Sequence, residues 1–243
     1  IRAATLTDRI EELVAVRDSW VKLLEDLGLQ YDFVSTEQIE GGKLTEGGYR
    51  LLILPDSLAV SATEVERIRA FVNAGGTVLA DLGCALRDGS CRLYDTPALD
   101  DLFGIRRGEA TGAPPAPALT LTTTLGDDAP AGAEVRVTVP EGNLALVGGA
   151  AYATAGEDAT PVLITNTVGA GRAIYLNLDL SQFDAERKFG SPTEKAVRSI
   201  LSALLGEAGI APAYALRFES GRTPHVEQVR YRLGDVTILG LDR

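Results

Sequence analysis

The sequence predicts an α/β protein, a parallel sheet with helices on both faces, followed by a region of shorter strands. Three observations predict it. Arg50–Leu54 and Thr77–Leu82 are apolar runs of strand length without alternation, as in strands buried on both faces. The residues between them have helical periodicity with explicit start and stop signals. Strands and helices then alternate at the spacing of a βαβ crossover.

Thr7 or Asp8 is placed to cap a first helix running to about Leu27. Its stripe is Ile10, Leu13, Val14, Val21, Leu24 and Leu27, and Gly28 stands where a helix ends. Trp20, the only tryptophan, falls at the edge of this stripe, suited either to core or boundary packing or to an interface. Tyr31–Ser35 reads as a short strand, and a loop rich in Gly and Glu leads to the strand Arg50–Leu54. Ser61 and Glu64 form a capping box for the next helix; Val65, Ile68, Phe71 and Val72 are its stripe, and Gly75-Gly76 stops it before Thr77.

Beyond about Ala118 the rhythm changes to strands at Leu119–Thr124, Glu134–Val139, Leu144–Thr154 and Pro161–Val168, an antiparallel or mixed region, after an irregular Ala- and Pro-rich stretch at 110–117. Gly169-Ala-Gly171 reads as a hairpin turn into the strand Arg172–Leu178, not as a phosphate loop, because no helix starts there. Ser191, Pro192 and Glu194 open a helix with the stripe Val197, Ile200, Leu201, Leu204 and Leu205. Three short strands follow, at Ala213–Phe218, Val226–Arg232 and Val236–Leu241, and the lack of a tail favours a truncated β domain.

Composition excludes several classes. The 243 residues hold 23 Lys and Arg against 34 Asp and Glu, a net charge of -11 with no basic run, so nucleic acid and anionic membranes are not expected partners. Apolar runs such as Leu51–Pro55 fall far short of the roughly 20 residues that cross a bilayer. A chain that opens on Ile1 and contains no Met or signal segment reads as a piece of something longer, and its compartment stays open. Cys84 and Cys91 make either a local disulfide or two free thiols; two cysteines with so little histidine do not make a zinc site. No metal or other cofactor is predicted.

Several segments resemble a known family. Trp20–Gly28, Y-D-F-V-S at 31–35, L-L-I-L-P-D at 51–56 and F-V-N-A-G-G-T-V at 71–78 look like the glutamine amidotransferase-like domain of β-galactosidases. In particular they resemble the trimerisation domain of glycoside hydrolase family 42 and its relatives. G-A-G-R-A-I-Y-L-N at 169–177 is similar to that domain's closing strand, and Val226–Asp242 to the start of the β domain after it. The resemblance implies a flavodoxin-like, class I amidotransferase-like sheet over residues 1–209 and a C-terminal β segment over 210–243. It also implies a first strand before the helix near Thr7, for which Ile1–Leu6 is too short; another chain or an upstream segment is expected to supply it.

An active amidotransferase needs an exposed cysteine on a strand-to-helix turn and a histidine to take its proton. Cys84 lies near that turn without the small-x-Cys-x-Gly pattern, and where the family places its histidine this chain has Asn177–Gln182. The only histidine, His225, stands about 45 residues further on and reads as a loop residue. Glycoside hydrolysis needs two facing carboxylates. Asp127-Asp128 in a turn and Glu11-Glu12 on a polar helix face read as solvated, and the resemblance puts the family's catalytic acids in a separate barrel. Asp56 and Asp81 follow adjacent parallel strands, at the rim where open α/β sheets bind ligands.

No catalytic residue is therefore assigned. Asp56, Asp81, Cys84 and Trp20 are the candidate ligand or interface rim. The leading expectation is a non-catalytic domain of a larger carbohydrate-active hydrolase, serving oligomerisation and the framing of an active site held elsewhere. Its expected partners are other domains of the same protein and further copies of itself. The alternatives are a sugar or small-molecule binding module at that rim, with carbohydrate as the ligand, and an amidase or peptidase using Cys84 as an atypical nucleophile.

Overall fold

The computed structural model describes residues 8–108, 115–214, 227–233 and 235–242. Its centre is a five-stranded sheet. β1 (Leu51–Leu54) and β2 (Thr77–Ala80) pair in parallel, and β2 pairs in parallel with Gly171–Leu176, the eleventh strand in chain order. On the far side of that strand, Leu163–Val168 and then Ala150–Ala151 add antiparallel strands. The sheet is thus mixed, parallel at one end and antiparallel at the other.

Helices cover both faces. On one lie α1 (Ile10–Asp26) and Pro192–Glu207; on the other lie α2 (Thr36–Glu40), α3 (Lys43–Glu46), α4 (Ala62–Asn73) and α5 (Asp100–Phe103). Alternation along the strands divides the core accordingly. Leu79, Ile174 and Leu176 pack with Trp20, Leu23, Ile200 and Leu204, whereas Val78, Ala80, Ala173 and Tyr175 pack with Ile68, Phe71, Leu102 and Phe103.

The remaining strands are β3 (Ile105–Arg107), β4 (Leu119–Leu121), β5 (Glu134–Val135), β6 (Leu144–Leu146), β7 (Ala150–Ala151), β8 (Ala153–Ala155), β9 (Thr160–Pro161), β10 (Leu163–Val168) and β11 (Gly171–Leu176). β5, β4, β8 and β9 form a small antiparallel sheet that closes the α1 side of the core, and β3 pairs with β6. α6 (Phe183–Phe189) precedes α7 (Pro192–Glu207), and β12 (Glu227–Leu233) and β13 (Val236–Asp242) form a separate hairpin. The predicted strand Ala213–Phe218 falls mostly outside the described residues, as does the stretch 109–114.

Local signals act as the sequence predicts at three places. Ser61 and Glu64 make both bonds of a capping box, at 3.1 and 2.8 Å. The Ser191 hydroxyl accepts from the Glu194 N–H at 3.0 Å, and the Glu194 carboxylate lies 3.3 Å from Arg198 one turn on. The β10–β11 turn presses against the end of α4, where a Cβ on Gly171 would collide with the Val72 and Gly76 carbonyl oxygens. That close approach requires glycine.

Two expectations fail at one place. Tyr31–Ser35 is irregular chain, because among the described residues no strand lies against the outer edge of β1 for it to join; Ser35 instead caps α2 through a box with Gln38. In α1 the cap position is Arg9 without a side-chain bond, and the buried residues are Val16, Ser19, Trp20, Leu23 and Leu24. Ile10 and Val14 are 49% and 37% exposed, because the stripe they belong to faces the same open edge. Trp20, suited by its sequence position to core or boundary packing or to an interface, is in the core at 2% exposure. Gly28 ends the helix as expected, with φ 66° and the Leu29 N–H bonded to the Leu24 carbonyl.

Candidate functional site

The parallel strands β1, β2 and β11 bring their C-terminal ends to one rim. After β1 the chain turns at Pro55-Asp56, with Asp56 at φ 38°; after β2 it turns through Asp81–Ala85, with Gly83 at φ 64° and Ala85 at φ 56°. Left-handed backbone at non-glycine residues is costly and clusters at sites. Two groups of charged side chains grow from these turns.

The first joins Asp56, Asp81 and Trp20. The Trp20 indole N–H donates to Asp81 Oδ2 at 2.7 Å, and the Asp56 backbone N–H donates to Asp81 Oδ1. Both acids are buried, at 6% and 2% exposure. Both Asp56 carboxylate oxygens lack a hydrogen-bond partner among the described residues, and the nearest cation is Arg9 Nη2 at 3.5 Å from Oδ1. Burial raises the Asp56 carboxyl to about 6 against the pull of Arg9, and Asp81 to about 7 against its donors.

The second surrounds Cys84. Arg107, almost wholly buried, donates from Nε to Asp100 Oδ1 at 2.8 Å and from Nη2 to the Cys84 carbonyl at 2.6 Å. Its Nη1 lies 3.6 Å from Glu141 Oε1, and its guanidinium sits 5.4 Å above the Tyr175 ring. The Tyr175 hydroxyl donates to Glu141 Oε2 at 2.6 Å, and the Gly83 N–H donates to Glu141 Oε1 at 3.2 Å. Asn177 occupies the place where a histidine base was sought. Its side chain accepts from the Glu141 N–H and donates to the Glu141 carbonyl, at 3.0 and 2.8 Å. Cys84 is fully buried here, and desolvation pushes its thiol up to about 12 despite Arg107, so it is protonated at neutral pH.

Both cysteines are free thiols, with Cys91 in the loop after the turn partly exposed. Asp127 and Asp128 lie in an exposed turn, and Glu12 pairs with Arg9 on the surface. His225 lies outside the described residues. Among the described residues no cluster of three metal-ligating side chains is present, and no helix is long and apolar enough to cross a membrane. Arg107, Glu141, Tyr175 and Asp100 were not singled out from sequence. They are scattered over some 75 positions without motif spacing, so no local signal marks them.

The model of the β-galactosidase trimerisation domain family matches residues 5–211. The chain belongs to this family. Solved structures of similar fold include β-galactosidases from Bacillus circulans sp. alkalophilus (TM-score 0.66, 18% identity), Rahnella sp. R3 (0.62, 22%) and the haloarchaeon Halorubrum lacusprofundi (0.61, 19%). The alignments cover 93%, 89% and 88% of this chain but only 31%, 29% and 28% of those enzymes. No curated protein sequence matches this one. In this member of the trimerisation domain family, the turn after β2 holds a sealed polar core in which the thiol is closed off from solvent.

Proposed function

We propose that the chain is a non-catalytic assembly domain of a larger glycoside hydrolase of the β-galactosidase type, holding copies of that enzyme together and framing active sites carried elsewhere. Membership of the trimerisation domain family over residues 5–211 carries this reading. The Cys84 environment supports it: a buried, protonated thiol on a residue whose backbone carbonyl is held by Arg107 is not a nucleophile. The parallel β1–β2–β11 core is consistent with a flavodoxin-like, amidotransferase-like sheet whose chemistry has been replaced by packing. On this reading residues 1–209 are the α/β domain, and residues 210–243 begin the β domain that follows it.

The test is excision of residues 5–211 from the parent enzyme, with particle mass read by light scattering. The intact enzyme is expected to contain three copies, as the family's name indicates, and the excised one to fall apart into single chains. An excised enzyme that keeps its full assembly would refute the role.

A further inference from the structure

Past the C-terminal end of β11 lies a cavity of about 210 Å³, bounded by the segment after β5, by the turn at 179–182 and by the first turns of α6 and α7. At roughly 30 Å³ per water it has room for about seven waters, the space of one sugar ring and not of a nucleotide or a peptide. It stands at the end of the parallel strands where open α/β sheets take ligands.

Backbone groups tie its walls together. The Asp179 N–H donates to the Thr138 carbonyl at 2.9 Å, and the Thr193 hydroxyl donates to the Arg136 carbonyl at 3.4 Å. The Ser181 N–H in turn holds Asp179 Oδ1 at 2.8 Å. A backbone fixed in this way needs little ordering when a ligand enters.

The floor is apolar, formed by the buried Leu180, Phe183 and Val197. The rim is polar and unused. Among the described residues the Arg136 guanidinium, the Gln182 amide and the Glu186 carboxylate have no hydrogen-bond or ion-pair partner, although all three border the same cavity. Gln182 even occupies the cap position of α6 without capping it through its side chain. This mixture selects the class of ligand. Asp179 and Glu186 repel an anion, and Arg136 opposes a cation. A neutral ring bearing hydroxyls suits all of them, because each hydroxyl both donates and accepts: the carboxylates accept from it and the guanidinium donates to it. The C–H face of such a ring matches the apolar floor.

We propose that this cavity binds one hexopyranose unit, held at its hydroxyls by Arg136, Asp179, Gln182 and Glu186 over the Phe183 floor.

Titration of the isotope-labelled chain with D-galactose, D-glucose and D-mannose, followed through amide chemical shifts, tests this. At least one of them is expected to give saturable shifts confined to residues 136–138, 179–186 and 193–197, with a Kd of about 1–10 mM. Arg136→Ala and Glu186→Ala change exposed side chains, so the remaining amide shifts should stay in place while binding weakens about fivefold or more in each. Lactose in the same titration identifies the source of the ring: binding as tight as that of its better hexose assigns the cavity to a chain end, and loss of binding assigns it to a free sugar. The proposal is overturned by the absence of saturable shifts with every sugar up to about 100 mM, or by shifts that both variants leave unchanged. Equal shifts with sodium sulfate or with glycerol also overturn it, since they would mark a general anion or polyol surface. A negative outcome would leave the assembly role standing, because that role is read from particle mass.

Discussion

Two polar clusters sit at the same rim of one sheet and differ in a single respect: one is closed and the other borders the open edge of β1. Around Arg107 every strong charge faces its complement, from Asp100 and Glu141 to the Cys84 carbonyl. At Asp56 the carboxylate is equally buried yet lacks a hydrogen bond. A buried charge that is paired and hydrogen-bonded can be nearly neutral to stability, whereas one with only a partly exposed arginine 3.5 Å away and no hydrogen bond is costly or takes up a proton. The first cluster thus behaves as finished core, and the second as half of an interaction.

Breaking the closed cluster gives the largest expected effect. Arg107→Ala leaves Asp100 and Glu141 buried without their cation and is expected to cost about 3–5 kcal/mol in urea unfolding. A loss below about 1 kcal/mol would mean that water already reaches this cluster.

The open cluster is sharpened by pH. Asp56 and Asp81 bind protons more tightly folded than unfolded, so between about pH 4 and pH 7 the folded state holds more protons and stability falls as pH rises. Asp56→Asn removes one such carboxyl. Relative to the parent chain it is expected to gain about 2 kcal/mol as pH goes from 4 to 8. Parallel stability curves for the two proteins would show that Asp56 is solvated.

Trp20→Phe removes the indole donor to Asp81 and keeps most of the packing, with an expected cost of about 1–2 kcal/mol and an upward shift of the Asp81 carboxyl. Unchanged pH dependence of stability would separate Trp20 from Asp81. The smallest effect is chemical. Alkylation of the native chain at pH 8 should modify Cys91 alone, followed by mass spectrometry, and rapid labelling of Cys84 would contradict its place in the closed cluster.

What sequence could reveal differs between these regions. The capping box at Ser61, the proline start at Pro192 and the glycine turn before β11 are local signals, decided by residues within four positions, and they were legible. Asp56 and Asp81 were found because strand ends are visible as the ends of apolar runs. The closed cluster was not legible, because Asp100, Arg107, Glu141 and Tyr175 meet only through the fold. Periodicity did identify Ile10, Leu13 and Val14 as an apolar stripe of α1, but it cannot say whether the surface opposite them is present. The same limit explains Tyr31–Ser35, whose composition suits a strand although a strand also needs a neighbour.

In the assembly role proposed above, this region works by contact between chains and not by bond cleavage. Light scattering on the intact parent enzyme, across a tenfold range of concentration, tests it most directly. A particle of three chains at every concentration is the predicted result; a single chain throughout would contradict it.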